Sequence, residues 1–444
     1  MNEKIVIIGN GFDLRHFLPT KYNHLITILR EIEQLNENCT SVSFSDLFSK
    51  AFKDKEEWFY NNICEYYYTN NIVFRVNDIK SIQERLLNNK WYQYLKTVED
   101  SHIETWIDFE TEINRVLEII LGYFEAYNNK KFKSNLGKSQ YRSEKLFLID
   151  IFFSNSYFIN DLQRNILLNF CLFKKLDKQF ICVNNDFILE LNNNIQYYKE
   201  KYFFDSIHQE LEEFIGIFND YIAYIIEPFY KNFIEEKKCN FLYKDNAFLF
   251  NNVNRILSFN YTNTYNNLYK HDDAFKNLLS MEYGRLPTHE FIHGISIANW
   301  NDIKDLKMVL GVSDITDYLK KHKLFQFTKY FQKLHKDTDY LFLDNMIKEI
   351  DKVKNTKMLI ENKFYFWGHS LDISDKDYIK DIFTVVEKTE SIICVFYHSI
   401  SGKADQLKNL LNIINKDTIE SLMKDRRLKF IESTFENLYA ELAQ

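Results

Sequence analysis

His293 closes the apolar run EFIHG, residues 290 to 294, immediately before Gly294. An imidazole titrates near neutrality, so one held at a strand end can take a proton from a hydroxyl; a buried, hydrogen-bonded structural histidine fits the same run. Asn260 sits in SFNYTNTY, residues 258 to 265, where a buried strand gives way to a polar stretch containing Thr262 and Asn263. A strand end is a rigid place for an amide that orients water or a ribose hydroxyl, and equally a place where asparagine caps the next helix. The segment IVIIGNGFDLRHFLPTKY, residues 5 to 22, reads as a strand, a Gly9-Asn10-Gly11 turn and a helix beginning near Lys21 with Thr20 as its N-cap. Such a turn can offer backbone N–H groups to a phosphate or can simply be tight. The third glycine of G-x-G-x-x-G is missing, and the position about 20 residues on falls within a helix. FWGHSLDISDKDY, residues 366 to 378, repeats the strand and glycine turn and adds Ser370, Asp372 and Asp375. Ser370 can bond a phosphate or ribose oxygen, while the two aspartates also suit the acidic first turn of a helix. In WIDFE, residues 106 to 110, the spacing of Trp106 and Phe109, continued by Ile113, reads as core packing on one helix face.

The elements that must position these residues show in the glycines. The chain has only ten glycines and three prolines, and Gly9, Gly11, Gly284, Gly294, Gly311 and Gly368 all fall at or near the ends of short apolar runs. Those runs are KIVIIG (4 to 9), RILSFNYT (255 to 262), EFIHG, MVLG (308 to 311) and KFYFWG (363 to 368), with SIICVFYH (391 to 398) lacking a terminal glycine. Short, continuously apolar runs rich in β-branched and aromatic residues are the pattern of parallel strands covered on both faces. Between roughly residues 40 and 250 long helical periodicities replace them, and a second amphipathic block covers about 316 to 355. The expectation is an α/β fold with a Rossmann-like parallel sheet flanked by helices and a large helical insertion: a discontinuous domain of residues 1 to 35 and 251 to 444, with 36 to 250 mainly helical.

Composition limits the function classes. With 56 basic and 63 acidic residues among 444, and a formal net charge of -7, no positive field draws the chain to nucleic acid or an anionic membrane. The excess of Asn, Lys, Ile, Phe and Tyr runs along the whole chain and resembles a genome-wide base bias more than a base-stacking platform. The six cysteines are scattered without a CxxC pair, so no zinc ribbon and no metal site is expected. No apolar stretch approaches the roughly 20 residues of a membrane span, and the amino-terminal run suits a buried strand better than a signal peptide. The expectation is a cytoplasmic protein with reduced thiols.

Taken in order, GNGFDL, LPTKY, W-x-DFE, FNYTNTY, IHG and GHSLD-x-x-D resemble the AbiH family of bacteriophage abortive-infection proteins across almost the whole chain. One departure is Phe17, where a glycine is expected before Leu-Pro-Thr. The order of motifs is also distantly similar to sirtuin-like, NAD-binding domains. That resemblance implies that Gly9 and Gly11 face the dinucleotide phosphates, with Asn10 and Asp13 in the same loop and Pro19 following it. It implies Asn260 as the catalytic asparagine and His293 as the general base. Gly294 follows that base, and Gly368, His369, Ser370 and Asp372 fall on the nucleotide's ribose and phosphate turn. Thr262 stands where the strand motif usually carries aspartate. The missing zinc ribbon argues against a protein deacylase and is compatible with the NAD-hydrolysing branch.

The resemblance thus implies NAD as substrate or ligand, a phage or host protein as trigger, and leaves room for a homo-oligomer. One reading is an NAD glycohydrolase that depletes the infected cell's pool. A second is a sensor that binds a nucleotide uncleaved while the helical insertion engages a protein partner. A nuclease has least support, since neither a paired-carboxylate metal site nor a basic stripe is present. The first reading requires Asn260 and His293 to converge on one pocket beside Gly9 and Gly11.

Overall fold

The computed structural model describes residues 2–99, 106–128, 161–175, 181–191, 195–235, 248–250, 252–269, 287–338, 343, 348 and 360–443; Gly284 and most of the block beyond 338 lie outside them. Six strands form its main sheet: β1 (Lys4–Ile8), β2 (Arg255–Ser258), β3 (Thr288–Phe291), β4 (Lys363–Trp367), β5 (Ile392–Tyr397) and β6 (Leu428–Glu432). Every pairing is parallel, in the spatial order β3-β2-β1-β4-β5-β6. The strand order therefore reverses between β1 and β4, and the carboxyl ends flanking that reversal form the crevice where doubly wound sheets bind ligands.

Register decides which residues meet there. Ile8 pairs with both Ser258 and Trp367, and Ser258 pairs with Phe291. Gly9, Phe259, Ile292 and Gly368 consequently leave the sheet at one level.

Both faces of the sheet are covered, which is why its central strands lack polar alternation. Ile5, Ile7, Leu257, Phe364, Phe366, Ile393 and Val395 pack against Ile379, Ile382, Phe383 and Leu410 of two following helices. Val6, Ile8, Ile256, Tyr365, Trp367, Cys394 and Phe396 belong to the larger cluster on the other face, which continues without a break into residues of the long insertion. The described part of that insertion is mostly helical, with three two-stranded antiparallel ribbons.

The helices that reach the crevice are α1 (Asn10–Arg15), α2 (Tyr22–Glu33), α3 (Trp106–Asn128), α4 (Glu200–Asp220), α5 (Lys329–His335) and α6 (Lys376–Lys388). A π-helical turn, Tyr221–Ile226, joins α4 to Glu227–Glu235. Among the described residues no helix is long and apolar enough to cross a membrane.

Three local expectations are corrected. MVLG is no strand: Met308, Val309 and Leu310 are buried in a loop, where the Gln332 side-chain amide bonds both the N–H and the carbonyl of Leu310, at 2.9 and 3.0 Å. A side chain supplies what a neighbouring strand would have supplied. β6 was not anticipated, because its half-buried LKFIE pattern on the sheet edge lacks a continuous apolar run. Thr20 does not cap α2, whose N-cap is Lys21; its hydroxyl donates to Asn10 Oδ1 at 2.6 Å. Phe17, at the position where glycine was expected, has φ of +55°, a backbone region that favours glycine. Its ring packs edge-on against Trp58 and Tyr66, both 5.7 Å away.

Two glycines give opposite expectations. A Cβ at Gly368 would overlap the backbone of Phe12 and Gly11, and its φ of +69° strains any side chain. Gly368→Ala should lower stability by about 2–5 kcal/mol. Gly122, inside α3, has nothing within 4 Å of such an atom, and Gly122→Ala should raise stability by about 1 kcal/mol. Urea midpoints check both; equal effects would contradict the packing described.

Candidate functional site

A cavity of about 580 Å³ opens at the carboxyl ends of β1, β2, β3 and β4. Gly9, Asn10, Gly11, Asp13, Asn260, Thr262, His293, Gly368, His369 and Ser370 all line it. Three other expected site residues do not. Pro19 is buried and its carbonyl accepts the Tyr221 hydroxyl at 2.6 Å. Gly294, with φ of +82°, makes a turn against the Lys307 backbone, and Asp372 caps a 3-10 turn by accepting the Ser374 N–H at 2.9 Å.

The floor is a joint between two backbones. The N–H of Gly9 donates to Trp367 O at 3.2 Å and that of Gly11 to Gly368 O at 2.8 Å. A Cβ on Gly9 or Gly11 would lie 2.8 Å from Gly368 backbone atoms. The demand these glycines answer here is close approach of loop to loop, and both amides are engaged within the protein.

Asp13 and Asn260 tie the end of β2 to that joint. Asp13 is 1% exposed, and its two carboxylate oxygens accept the hydroxyls of Thr262 and Thr264, each at 2.6 Å. Burial pushes its pKa up to about 6, opposed by hydrogen bonds from Thr262, Thr264 and Asn260. The Asn260 amide donates to Gly9 O at 3.0 Å, and the helix that follows begins at Thr264, too far along the chain for Asn260 to be its N-cap. Thr262 thus serves to hold Asp13.

The opposite wall carries the ionisable groups. Nε2 of His293 lies 3.1 Å from Asp375 Oδ1, and Nε2 of His369 lies 3.5 Å from Asp375 Oδ2. His369 Nδ1 accepts the Leu371 N–H at 2.9 Å, which places the proton of its neutral ring on Nε2. Lys329 bonds Glu110 at 2.7 Å and stands 3.8 Å from Asp375. Burial works against the Lys329 ammonium, yet Glu110, Asp375 and Tyr261 hold its pKa above the usual range. The Glu110 carboxyl is pushed up by burial and pulled back by Lys329. Raised to about 7, the Glu110 carboxyl titrates in the neutral range beside the Lys329 ammonium.

His293 is driven well below the ordinary imidazole range, first by burial and then by Lys329, Lys333 and His369. Phe259 and Tyr261 enclose its ring at 5.2 and 6.0 Å between centroids. A neutral imidazole at neutral pH has a lone pair available to accept a proton. Among the described residues no group of three or more His, Cys, Asp or Glu is arranged to hold a metal ion. Cys39, Cys64, Cys171 and Cys394 are free thiols.

A family model described as bacteriophage abortive infection AbiH matches residues 5–397. The chain belongs to the AbiH family. No curated protein and no solved structure matches it. Membership gives this AbiH protein a role in abortive infection by bacteriophage, and the matched span runs from β1 to the end of β5, enclosing every residue of the cavity wall.

Sequence reasoning passed over Glu110, Lys329 and the place of Asp375. Glu110 stands within the quoted W-x-DFE motif, and Asp375 closes GHSLD-x-x-D, so both had a signal. Lys329 had none, lying in an amphipathic stretch of ordinary composition.

The raised Asp13 pKa has a signed consequence. The folded protein holds this proton more tightly than the unfolded chain, so the stability it contributes is present below about pH 4 and is lost as pH rises through about 6. The parent should lose about 2 kcal/mol more than Asp13→Asn between pH 4 and pH 7. Urea unfolding at several pH values measures the difference, and parallel pH profiles would contradict the assignment.

Proposed function

We propose that this AbiH-family protein binds NAD in the crevice between β1 and β4 and, during abortive infection, hydrolyses its nicotinamide–ribose bond. One observation carries the reading: Asn260 and His293, from loops after two different strands, line the same cavity as Gly9, Gly11 and Gly368 at the reversal point of the sheet. The volume of about 580 Å³ falls within the roughly 300–1,000 Å³ of small-molecule sites. Aromatic and aliphatic walls from Phe218, Tyr221, Ile222 and Phe259 suit the flat bases of such a ligand.

The chemistry asks little of a general acid. The bond joins C1′ of ribose to a pyridinium nitrogen, which takes the bonding electron pair and leaves as neutral nicotinamide. The protein has to stabilise an oxocarbenium-like transition state and admit one water to C1′. In this reading His293 accepts a proton from a ribose hydroxyl and Asn260 fixes the sugar or the water. Water adds to C1′, one proton is released, and ADP-ribose remains.

A second reading has an observation of its own. The Asn260 amide donates to the Gly9 carbonyl and approaches Asp13, an arrangement that favours a loop-holding role. The cavity would then bind a nucleotide uncleaved and signal through a protein partner.

Purified protein should release nicotinamide from NAD, alone or once phage lysate is added, and His293→Ala and Asn260→Ala should each slow release by about 100 to 10,000-fold. Binding of NAD without release under either condition would favour the sensor. Neither release nor binding would remove both readings.

A further inference from the structure

His293 is a base in an awkward place. The groups facing it are Lys329 and Lys333 from α5, Asp375 just before α6 and Tyr378 in its first turn, His369 after β4, and Phe259 and Tyr261 after β2. Accepting a proton there creates an imidazolium beside two ammonium groups. Lys333 lies over the Tyr378 ring at 3.9 Å, and Lys329 is bonded to Glu110 at 2.7 Å. The carboxylate in contact with His293 is that of Asp375.

Asp375 is arranged for this partner. Its Oδ2 faces the Nε2–H of His369, whose tautomer is set by the Leu371 N–H, and its Oδ1 faces His293. Glu110 holds Lys329 at 2.7 Å while Asp375 stands 3.8 Å from it, so the aspartate lies closer to the imidazole, at 3.1 Å, than to the ammonium. Nε2 of His293, Nε2 of His369 and Oδ1 of Asp375 are all buried without an aligned hydrogen bond. Three buried polar atoms within contact distance carry an unmet demand for partners, and such bonds in catalytic sites commonly tighten when ligand closes the site.

We propose that Asp375 is the positioning residue of His293: it holds the imidazole with its proton on Nε2, leaving Nδ1 to accept the ligand's proton, and it stabilises the imidazolium that forms. The proton stays on the imidazole until it returns to product or solvent, and Asp375 remains a carboxylate throughout. Glu110, from the helical insertion, serves this couple by engaging Lys329 at 2.7 Å. The catalytic half of the proposal rests on the reading of His293 as a base; the tautomer half does not.

The test uses the full chain labelled with ¹⁵N-histidine, with His293 assigned by loss of its signals in His293→Gln. At pH 7 the parent should show His293 neutral and protonated on Nε2. Asp375→Leu should lose that tautomer preference, and Lys329→Gln should raise the His293 titration midpoint by about one pH unit or more. A second arm follows nicotinamide release by Asp375→Asn, expected to fall about 100-fold while NAD binding changes less than about threefold. An unchanged tautomer in Asp375→Leu overturns the proposal, as does an unmoved midpoint in Lys329→Gln. Should the parent release no nicotinamide, the hydrolase reading fails, and the two histidine measurements still decide the role of Asp375.

Discussion

Where β1 and β4 end, no side chain separates their two backbones. Gly9 and Gly11 lie against Gly368 and His369, joined by two amide-to-carbonyl bonds. A side chain at any of these three glycines would push the loops apart, and the loops carry the rest of the site. Gly9 receives the Asn260 amide, Asp13 receives two threonine hydroxyls from the end of β2, and the turn after Gly368 delivers His369 and Asp375. The cavity is therefore bounded by elements whose relative positions are set by backbone contact, the least compliant kind available to a protein.

Charge is distributed around that frame in alternation. Glu110, Lys329, Asp375 and His293 follow one another at 2.7, 3.8 and 3.1 Å, acidic and basic groups in turn. Buried charges are tolerated when paired, and here the pairing crosses three parts of the chain: the insertion, the excursion before β4 and the turn after it. The insertion is thus more than an attachment to the sheet. It shares a continuous apolar core with one sheet face and supplies the carboxylate at the far end of the charge series.

Much of this was legible because the composition is so poor in glycine. Gly9, Gly11 and Gly368 stood out at the ends of apolar runs, and with them the parallel sheet and its crevice. The physical reason for the first pair was read less well: a Gly-x-Gly turn suggests amides offered to phosphate, whereas the amides of Gly9 and Gly11 bond the neighbouring loop. MVLG shows a limit of periodicity, since a buried loop whose backbone is matched by the Gln332 side chain has the same apolar signature as a strand. Glu110 was hidden because Phe109 and Ile113 give its segment the stripe of a core helix, and a stripe does not report what the adjacent residue reaches. Lys329 could not be found at all from spacing, because its partner Glu110 comes from a distant part of the chain and only the fold brings them together.

The account turns on whether a dinucleotide occupies the crevice between β1 and β4. The most direct measurement is a crystal structure of the protein with ADP-ribose, the part of NAD that remains when nicotinamide leaves. The account predicts ligand in the cavity lined by the joined Gly9–Gly11 and Gly368–Ser370 turns, with a ribose hydroxyl within about 3.2 Å of His293. Ligand bound elsewhere, or an empty crevice in crystals saturated with ADP-ribose, would contradict it.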